Sequence, residues 1–377
     1  MSGIPIARLL GFEVRIHLSW AIILAFIVVS VASQVESTEP TVETAVRWMI
    51  GGAVAIGFLF SALAHELGHA VAARRAGITG GPVVVYFFGG PTTPGVVAPR
   101  PRDEIVIGLA GSLVSLGLAG LLVLVAALVA PVGGPWLAIG QIALVLGVLN
   151  LVLGAINLVP AFPLDGGRIV QGLAWARTGD PRRGTRAAAR SGRIVGWFLV
   201  AFGVAVVLAS NEIDGLLLSI TGWFLATAGR QVERGSDLDE LLDGVVVADV
   251  MDVDVSPVAA GLTLDTFAGQ MLEGRVAPSL PVVRGAELVG VVGASQVRKV
   301  GQKRWAGMRA EDLMIGTDRM PRVEPETPLG RVLDELRRSG LDGMPVVGAD
   351  GLAGVITRRG VLDALREQAE LRGVTLP

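Results

Sequence analysis

The fold of this chain is decided by residues 105–164, which read IVIGLAGSLVSLGLAGLLVLVAALVAPVGGPWLAIGQIALVLGVLNLVLGAINLVPAFPL and contain no Asp, Glu, Lys or Arg. A helix needs about 20 apolar residues to cross the hydrocarbon core of a bilayer, so this run is too long for a single span. Pro131-Val-Gly-Gly-Pro135 interrupts it. The sequence therefore predicts two membrane spans here, at about 104–130 and 136–159.

The composition of the whole chain also indicates a membrane protein. Of its 377 residues, 51% are hydrophobic and 18% are charged, and the mean hydropathy is +0.61. An ordinary soluble domain has about 25% charged residues. Residues 1–229 hold 14 basic and 11 acidic residues, whereas 230–377 hold 18 and 23. We therefore exclude a purely soluble protein and predict a membrane domain in 1–230, a linker in 231–244 and a soluble C-terminal part.

Four further apolar stretches bring the predicted number of membrane helices to six. They lie at about 18–33, 48–73, 194–210 and 213–229. Arginines flank one side of the predicted spans, and Glu36, Glu39 and Glu43 lie on the other. The positive-inside rule then predicts a multi-pass plasma-membrane protein with both termini in the cytosol. The start of the chain has no distinct cleavage site, so a cleavable signal peptide is not expected.

The second span contains a polar group, His65-Glu-Leu-Gly-His69. Residues four apart share one face of a helix, so both imidazoles can bind one metal ion while Glu66 reaches a water on that ion. The chain has no cysteine, which excludes disulfides and thiolate sites and leaves nitrogen and oxygen ligands. Ionisable side chains inside a membrane span are costly and indicate function. We therefore predict a metal site at His65 and His69.

A catalytic zinc site of this kind needs a third protein ligand. Residues 157–167 read NLVPAFPLDGG and end the fourth predicted span, where they supply Asp165. The prolines and Gly166-Gly167 would break the helix and allow the carboxylate to turn inward. Arg168 places this segment at the cytosolic side, where the histidines are also expected. The sequence therefore predicts Asp165 as the third ligand.

A short β-favouring run lies between the second and third spans, at residues 80–91, GGPVVVYFFGGP. It is too short to span the membrane as a helix. Two interpretations stay open. It is either a re-entrant β-hairpin that dips into the membrane beside a cavity or an ordinary surface hairpin.

Residues from about 5 to 230 strongly resemble the site-2 protease family of intramembrane zinc metalloproteases. The resemblance is carried by two motifs, HELGH in one membrane helix and N-x-x-P-x-x-P-L-D-G-G at the end of another. Gly111-Ser-Leu-Val-Ser115 resembles the small-residue motif of the family's third span, with Ser112 where Pro is frequent and Ser115 where Asn is. Phe88-Gly-Gly90 resembles the re-entrant segment. No insertion between the spans is large enough for a PDZ domain, which disfavours the periplasmic-sensor branch.

The resemblance implies one zinc ion per chain, with the ligands His65, His69 and Asp165. It also implies that Glu66 is the general base and that Asn157 orients the substrate or stabilises the oxyanion. The substrate would be a transmembrane or membrane-associated protein in the lipid bilayer, cut near its cytosolic side. The 80–91 strand is a candidate for pairing with the unwound substrate. His17 is expected at the membrane interface and not at the metal.

Residues 245–300 and 308–366 form an internal repeat. Its matching segments have offsets of 63 and 64 residues. They are Asp249-Val-Met251 with Asp312-Leu-Met314, Pro281-Val-Val283 with Pro345-Val-Val347, and 288–292 with 352–356. Each unit is predicted as a strand, a helix, two strands and a helix. This α+β arrangement resembles a tandem pair of CBS domains, at 245–300 and 301–377, which occurs in one branch of the site-2 proteases.

Pairs of CBS domains often bind adenine nucleotides through a G-h-h-[ST]-x-x-D segment. The matching segments are residues 290–296, GVVGASQ, and 354–360, GVITRRG. Both lack the final aspartate, and only the second has a hydroxyl residue, Thr357, at the [ST] position. Adenine-nucleotide binding is therefore disfavoured, and packing or homodimer formation through the CBS domains is the preferred interpretation.

These observations favour an intramembrane zinc endopeptidase with regulatory CBS domains. The net charge of −2 gives no indication of nucleic-acid binding. One alternative is a ligand-sensing transporter or channel regulated by the CBS pair, although such proteins show charges or broken helices in paired halves. A second alternative is the other membrane HELxH protease class, whose third ligand is a glutamate.

Overall fold

The computed structural model describes most of the chain. The described residues are 3–78, 81–85, 98–210, 214–255, 257–272, 279–285, 287–317, 323–339, 341–349 and 351–372. They divide into two units, Met1–Ser236 and Asp237–Pro377.

The first unit begins with a β-hairpin that the sequence did not predict. Strands β1 (Ile4–Leu9) and β2 (Phe12–Ile16) pair antiparallel. Leu10 (φ 52°) and Gly11 (φ 84°) between them have the two positive φ angles that suit the twist of a two-residue hairpin turn. Strand β3 (Val83–Val85) pairs in parallel with β2, giving the order β1-β2-β3. Phe88-Gly-Gly90 and most of the 80–91 hairpin lie outside the described residues, so the re-entrant hairpin stays a prediction.

Seven α-helices follow the hairpin in the described part of the chain, and the last of them continues past Ser236. They are α1 (Ser19–Thr38), α2 (Thr44–Arg75), α3 (Pro101–Val129), α4 (Pro135–Asn157), α5 (Asp165–Thr178), α6 (Pro181–Ser210) and α7 (Asp214–Leu241). Five helices of the described chain, α1–α4 and α6, are long and apolar enough to cross a membrane. The predicted sixth span is helical, as part of α7, but it is not among these five, so the count of six stays a prediction. Because α7 continues to Leu241, the predicted linker 231–244 is largely helical.

Small residues allow the helices around α3 to approach closely. A β-carbon at Gly68 of α2 would lie 3.0 Å from the Ala110 carbonyl of α3, and one at Gly108 would lie 3.0 Å from the Asp165 carbonyl of α5. Such contacts are typical of helix packing in membranes. Asn150 of α4 donates a hydrogen bond to the Ser61 hydroxyl of α2 at 2.9 Å. The helices that carry the predicted metal ligands are therefore packed backbone against backbone.

The second unit contains the two predicted repeats. The first comprises β4 (Val258–Ala259), α8 (Leu264–Leu272), β5 (Ser279–Arg284), β6 (Glu287–Gly293) and α9 (Ala294–Arg298). The second comprises α10 (Ala310–Leu313), β7 (Ile315–Gly316), α11 (Leu329–Ser339), β8 (Gly343–Gly348), β9 (Gly351–Thr357) and α12 (Arg358–Leu371). In the second repeat, a single bridge from Val323 to Val346 takes the place of the predicted first strand. The predicted order of elements is otherwise observed.

The segment at the start of each repeat, around its Asp-x-Met sequence, packs on the other repeat. β7 pairs with β6 of the first repeat, and Asp252 pairs with Val355 in β9 of the second. A β-carbon at Gly290 would lie 2.6 Å from the Ile315 carbonyl, and one at Gly354 would lie 2.6 Å from the Asp252 carbonyl. The recurring Asp-x-Met segments therefore mark an exchange between the repeats, and neither repeat completes its core alone.

Candidate metal centre

Three predicted ligands from distant parts of the sequence meet at one point. His65 and His69 lie one turn apart in the second half of α2, and Asp165 is the first residue of α5. His65 Nε2 lies 3.3 Å from Asp165 Oδ2, and His69 Nε2 lies 3.1 Å from Asp165 Oδ1. The two Nε2 atoms are 3.2 Å apart. Among the residues that the structure describes, these three side chains form a group that could hold one metal ion.

The turn between α4 and α5 positions the Asp165 carboxylate. α4 ends at Asn157, and α5 begins after the extended residue Leu164. A β-carbon at Gly166 would overlap the Val159 carbonyl, and one at Gly167 would lie 2.8 Å from the Phe162 nitrogen. Glycine is therefore required at both positions, because the start of α5 is pressed against the turn that precedes it. The predicted helix break at this motif is observed.

Hydrogen bonds to the other ring nitrogens orient both imidazoles. His69 Nδ1 lies 2.7 Å from the carbonyl oxygen of Ile107, and His65 Nδ1 lies 2.9 Å from the Ser115 hydroxyl. A carbonyl can only accept, so His69 carries its proton on Nδ1 and directs the lone pair of Nε2 at the cluster. Such bonds commonly orient histidine ligands of metals. Facing nitrogen lone pairs at 3.2 Å repel unless a cation or proton lies between them.

The donor set fits a zinc ion. Two ligands at about 2.0–2.1 Å from a tetrahedral zinc lie about 3.3 Å apart, close to the 3.1–3.3 Å observed. The side chains of His65, His69 and Asp165 are 6%, 14% and 13% exposed. Imidazole nitrogens and a carboxylate oxygen are the ligand types of catalytic zinc sites that lack thiolates.

A cavity of about 210 Å³ opens beside this group. Its lining residues are Glu66, His69, Ala70, Ala73, Pro82, Val83, Val84, Ile107 and Arg168. Arg168 Nε donates to Glu104 at 2.7 Å, and the Glu104 carboxylate, which is 2% exposed, also accepts from the Ala98 nitrogen. The cavity is thus lined by an acidic residue, a histidine and an arginine beside β3.

The remaining predicted residues lie elsewhere. Asn157 is not in the ligand group or among the residues that line the cavity, and its amide donates to the Leu153 carbonyl at 2.9 Å. His17 is also outside the ligand group, and its Nδ1 accepts a hydrogen bond from the Ser19 nitrogen. Sequence reasoning missed the hydroxyl of Ser112, which donates to Asp165 Oδ2 at 2.9 Å. A signal existed, because Ser112 is a polar residue within an uncharged span.

Comparisons with known proteins place the chain among related sequences. Residues 135–201, which include Asn157 and Asp165, match the model of peptidase family M50, and residues 310–367 match the CBS domain. The chain is 33% identical over 355 residues to a protein of Mycobacterium tuberculosis named zinc metalloprotease Rip3, covering 92% of this chain and 90% of that protein.

Two further similarities extend over much of the chain. A Synechocystis protein named zinc metalloprotease sll0528 is 27% identical over 372 residues, covering 98% of this chain and 97% of that protein. Among solved structures, the site-2 protease of Methanocaldococcus jannaschii is 24% identical, with a TM-score of 0.41, covering 61% of this chain and 95% of that chain.

The family assignment confirms the predicted fold class, a polytopic α-helical membrane part followed by α+β CBS domains, and it confirms an enzyme rather than a transporter or channel. The resemblance to the site-2 proteases is likewise confirmed. This chain therefore belongs to peptidase family M50, the site-2 proteases, and is an intramembrane zinc metalloprotease with CBS domains.

Proposed function

We propose that this enzyme hydrolyses a peptide bond in or near a transmembrane segment of a membrane-protein substrate, at a single zinc ion held by His65, His69 and Asp165. The observation that carries the proposal is the meeting of two imidazole nitrogens and one carboxylate at 3.1–3.3 Å. These groups come from α2 and α5, within a helical unit where ionisable side chains are costly to bury.

Glu66 is proposed as the general base. Its side chain lines the cavity together with His69, so it faces the space in which a substrate and water must meet. A bound zinc ion would supply Lewis acidity and lower the pKa of a water molecule to about 7. Glu66 would accept the proton of the attacking water and return it to the leaving amine.

The substrate would bind as an extended segment. The carbonyls of a helical substrate are engaged in its own hydrogen bonds, so the helix must unwind before a peptide bond reacts. Val83 and Val84 of β3 line the same cavity as Glu66, and β3 is the last strand of its sheet in the described part of the chain. A substrate strand added beside β3 would present its peptide bonds to Glu66.

Two residues are candidates for contact with the reacting carbonyl. Asn157 is implied by the family resemblance and would have to release the Leu153 carbonyl to reach the substrate. Arg168 already lines the cavity, and its hydrogen bond to Glu104 uses one of the five N–H groups of the guanidinium. A fixed cation at this place would stabilise negative charge that develops on the carbonyl oxygen.

The proposed topology places both termini in the cytosol and the enzyme in the plasma membrane. The arginines that flank the spans support it through the positive-inside rule. Arg47, at the start of the second span, lies on the side predicted to face away from the cytosol. It forms an ion pair with Glu36 at 2.8 Å, which offsets its charge.

The CBS domains are proposed to regulate the protease by packing or homodimer formation rather than by binding adenine nucleotides. Thr357 is the one hydroxyl residue at the nucleotide-motif positions, and its side chain caps α12 by accepting a hydrogen bond from the Gly360 nitrogen at 3.1 Å. Gly290 and Gly354, which begin the two motif segments, are packed against the exchanged backbone segments. These contacts support a structural use of both segments.

The test compares full-length wild-type enzyme with Glu66→Gln, each purified for metal analysis and each co-expressed with a panel of single-span membrane proteins. Glu39→Gln is the matched control, because Glu39 is an exposed acid at the end of α1. We expect about one zinc per chain in all three proteins, with cleavage by wild type and Glu39→Gln but not by Glu66→Gln. Cleavage by Glu66→Gln at the wild-type rate, or wild type without zinc, would contradict the proposal.

A further inference from the structure

Three neighbouring positions of α3 each contact one of the proposed zinc ligands. The Ser112 hydroxyl donates to Asp165 Oδ2 at 2.9 Å, and the Ser115 hydroxyl lies 2.9 Å from His65 Nδ1. Both serines are 0% exposed. Gly111 leaves room for the His69 ring, which a β-carbon at that position would overlap. One turn of α3 thus touches all three side chains of the cluster.

The hydroxyl of Ser112 distinguishes the two oxygens of the Asp165 carboxylate. An ionised carboxylate only accepts hydrogen bonds, so the serine must donate. Its bond goes to Oδ2, the oxygen that faces His65, while Oδ1 faces His69. This bond fixes the rotation of a carboxylate that stands at the first residue of a helix, and so fixes which oxygen is presented to each histidine.

The hydroxyl of Ser115 sets the position of the proton on His65. If the hydroxyl accepts, the proton resides on Nδ1 and the lone pair of Nε2 is directed at the cluster, as in His69. If it donated instead, Nε2 of the neutral ring would carry the proton and could not bind a metal. Zinc binding therefore requires Ser115 to act as an acceptor.

We propose that Ser112 and Ser115 are positioning residues of the zinc site, which hold the Asp165 carboxylate in the orientation, and the His65 ring in the tautomer, that bind the ion. This proposal rests on the proposed zinc site. Loss of such an outer contact typically lowers metal affinity about 10- to 100-fold. The serines therefore contribute to zinc affinity, although neither is a ligand.

The test measures the zinc dissociation constant of the full-length enzyme in detergent, by competition with a chromogenic chelator. We expect Ser112→Ala and Ser115→Ala each to bind zinc about 10- to 100-fold more weakly than wild type. Ser112→Thr and Ser115→Thr keep the hydroxyl and should recover most of the affinity. Ser61→Ala is the matched control, because Ser61 is a buried serine of α2 whose hydroxyl bonds the Gly57 carbonyl and Asn150.

A spectroscopic measurement separates positioning from a general loss of stability. With Co²⁺ in place of zinc, the visible absorption bands report the geometry of the ligands. The bands should change in the two alanine variants and stay as in wild type in Ser61→Ala. Equal zinc affinities and unchanged bands in the alanine variants would overturn the proposal.

A measurement on the wild-type chain decides the matter if the alanine variants do not fold. The chain has three histidines, so the side-chain ¹⁵N resonances of the zinc-loaded enzyme can be assigned with a His17→Ala variant. The proposal requires a protonated Nδ1 and a metal-bound Nε2 in His65, and a deprotonated Nδ1 overturns it.

If wild type binds no zinc, the proposed function itself fails. If wild type binds zinc and the serine variants bind it equally well, only the positioning role fails.

Discussion

Replacing Gly111 with alanine should remove zinc binding even though alanine favours helices. Alanine in a helix interior is favoured over glycine by up to about 1 kcal/mol. At Gly111, however, the added β-carbon would overlap His69 Nε2. Carbon and nitrogen atoms pack at about 3.5–4.0 Å, so the ring must move by more than about 1 Å. Metal–ligand distances tolerate only about ±0.2 Å.

The displaced ring should lose more than the metal. Its Nδ1 is bonded to the Ile107 carbonyl, one turn before Gly111, and breaking that bond costs about 0.5–1.5 kcal/mol. Overpacking typically costs about 1–3 kcal/mol. We expect Gly111→Ala to weaken zinc binding by more than 100-fold and to lower the stability of the metal-free protein by about 1–3 kcal/mol.

The assay pairs chelator competition for zinc with thermal unfolding of the metal-free, detergent-solubilised chain. Gly117→Ala is the matched control, since a β-carbon at this glycine of the same helix would meet no atom within 4 Å. We expect Gly117→Ala to bind zinc as wild type does and to unfold at the same or a slightly higher temperature. Wild-type zinc affinity in Gly111→Ala would show that a β-carbon at this position does not displace the His69 ring from the metal site.

Three further substitutions test separate parts of the structure. Asp165→Ala should weaken zinc binding at least 100-fold, and zinc retained with wild-type affinity in chelator competition would remove this residue from the ligand set. Glu104→Gln removes the negative charge that pairs with Arg168, whose side chain is 27% exposed, and should cost about 1–3 kcal/mol in thermal unfolding. An unchanged midpoint would show that the charge pair is not stabilising. Gly290→Ala places a β-carbon 2.6 Å from the Ile315 carbonyl and should destabilise the C-terminal unit by about 1–3 kcal/mol without changing zinc affinity. The control Gly269→Ala should leave the stability unchanged, because its β-carbon would have no atom within 4 Å.

The parts of the fold that follow from local pattern could be predicted from the sequence. The uncharged run 105–164 becomes α3 and α4, and the break at 131–135 contains Gly133 and Gly134, both with positive φ. The helical spacing of His65 and His69 is likewise local. Asp165 could be inferred because a zinc site requires a third ligand.

Features that depend on long-range packing could not be predicted. The Ser112 and Ser115 contacts arise from the rotation of α3 against α2 and α5, which spacing along α3 does not determine. The exchange of the segments around Asp252 and Ile315 between repeats leaves the same internal periodicity as unexchanged repeats would. The hairpin at Leu10 was missed because leucine rarely adopts positive φ.

X-ray absorption at the zinc edge of the full-length enzyme reports directly which side chains bind the ion. We expect nitrogen and oxygen ligands at about 2.0–2.1 Å, the longer-range signal of two imidazoles, and the loss of one oxygen in Asp165→Ala. His17→Ala should leave the spectrum unchanged. A spectrum with fewer than two imidazoles, or one that Asp165→Ala does not alter, would rule out zinc binding by His65, His69 and Asp165.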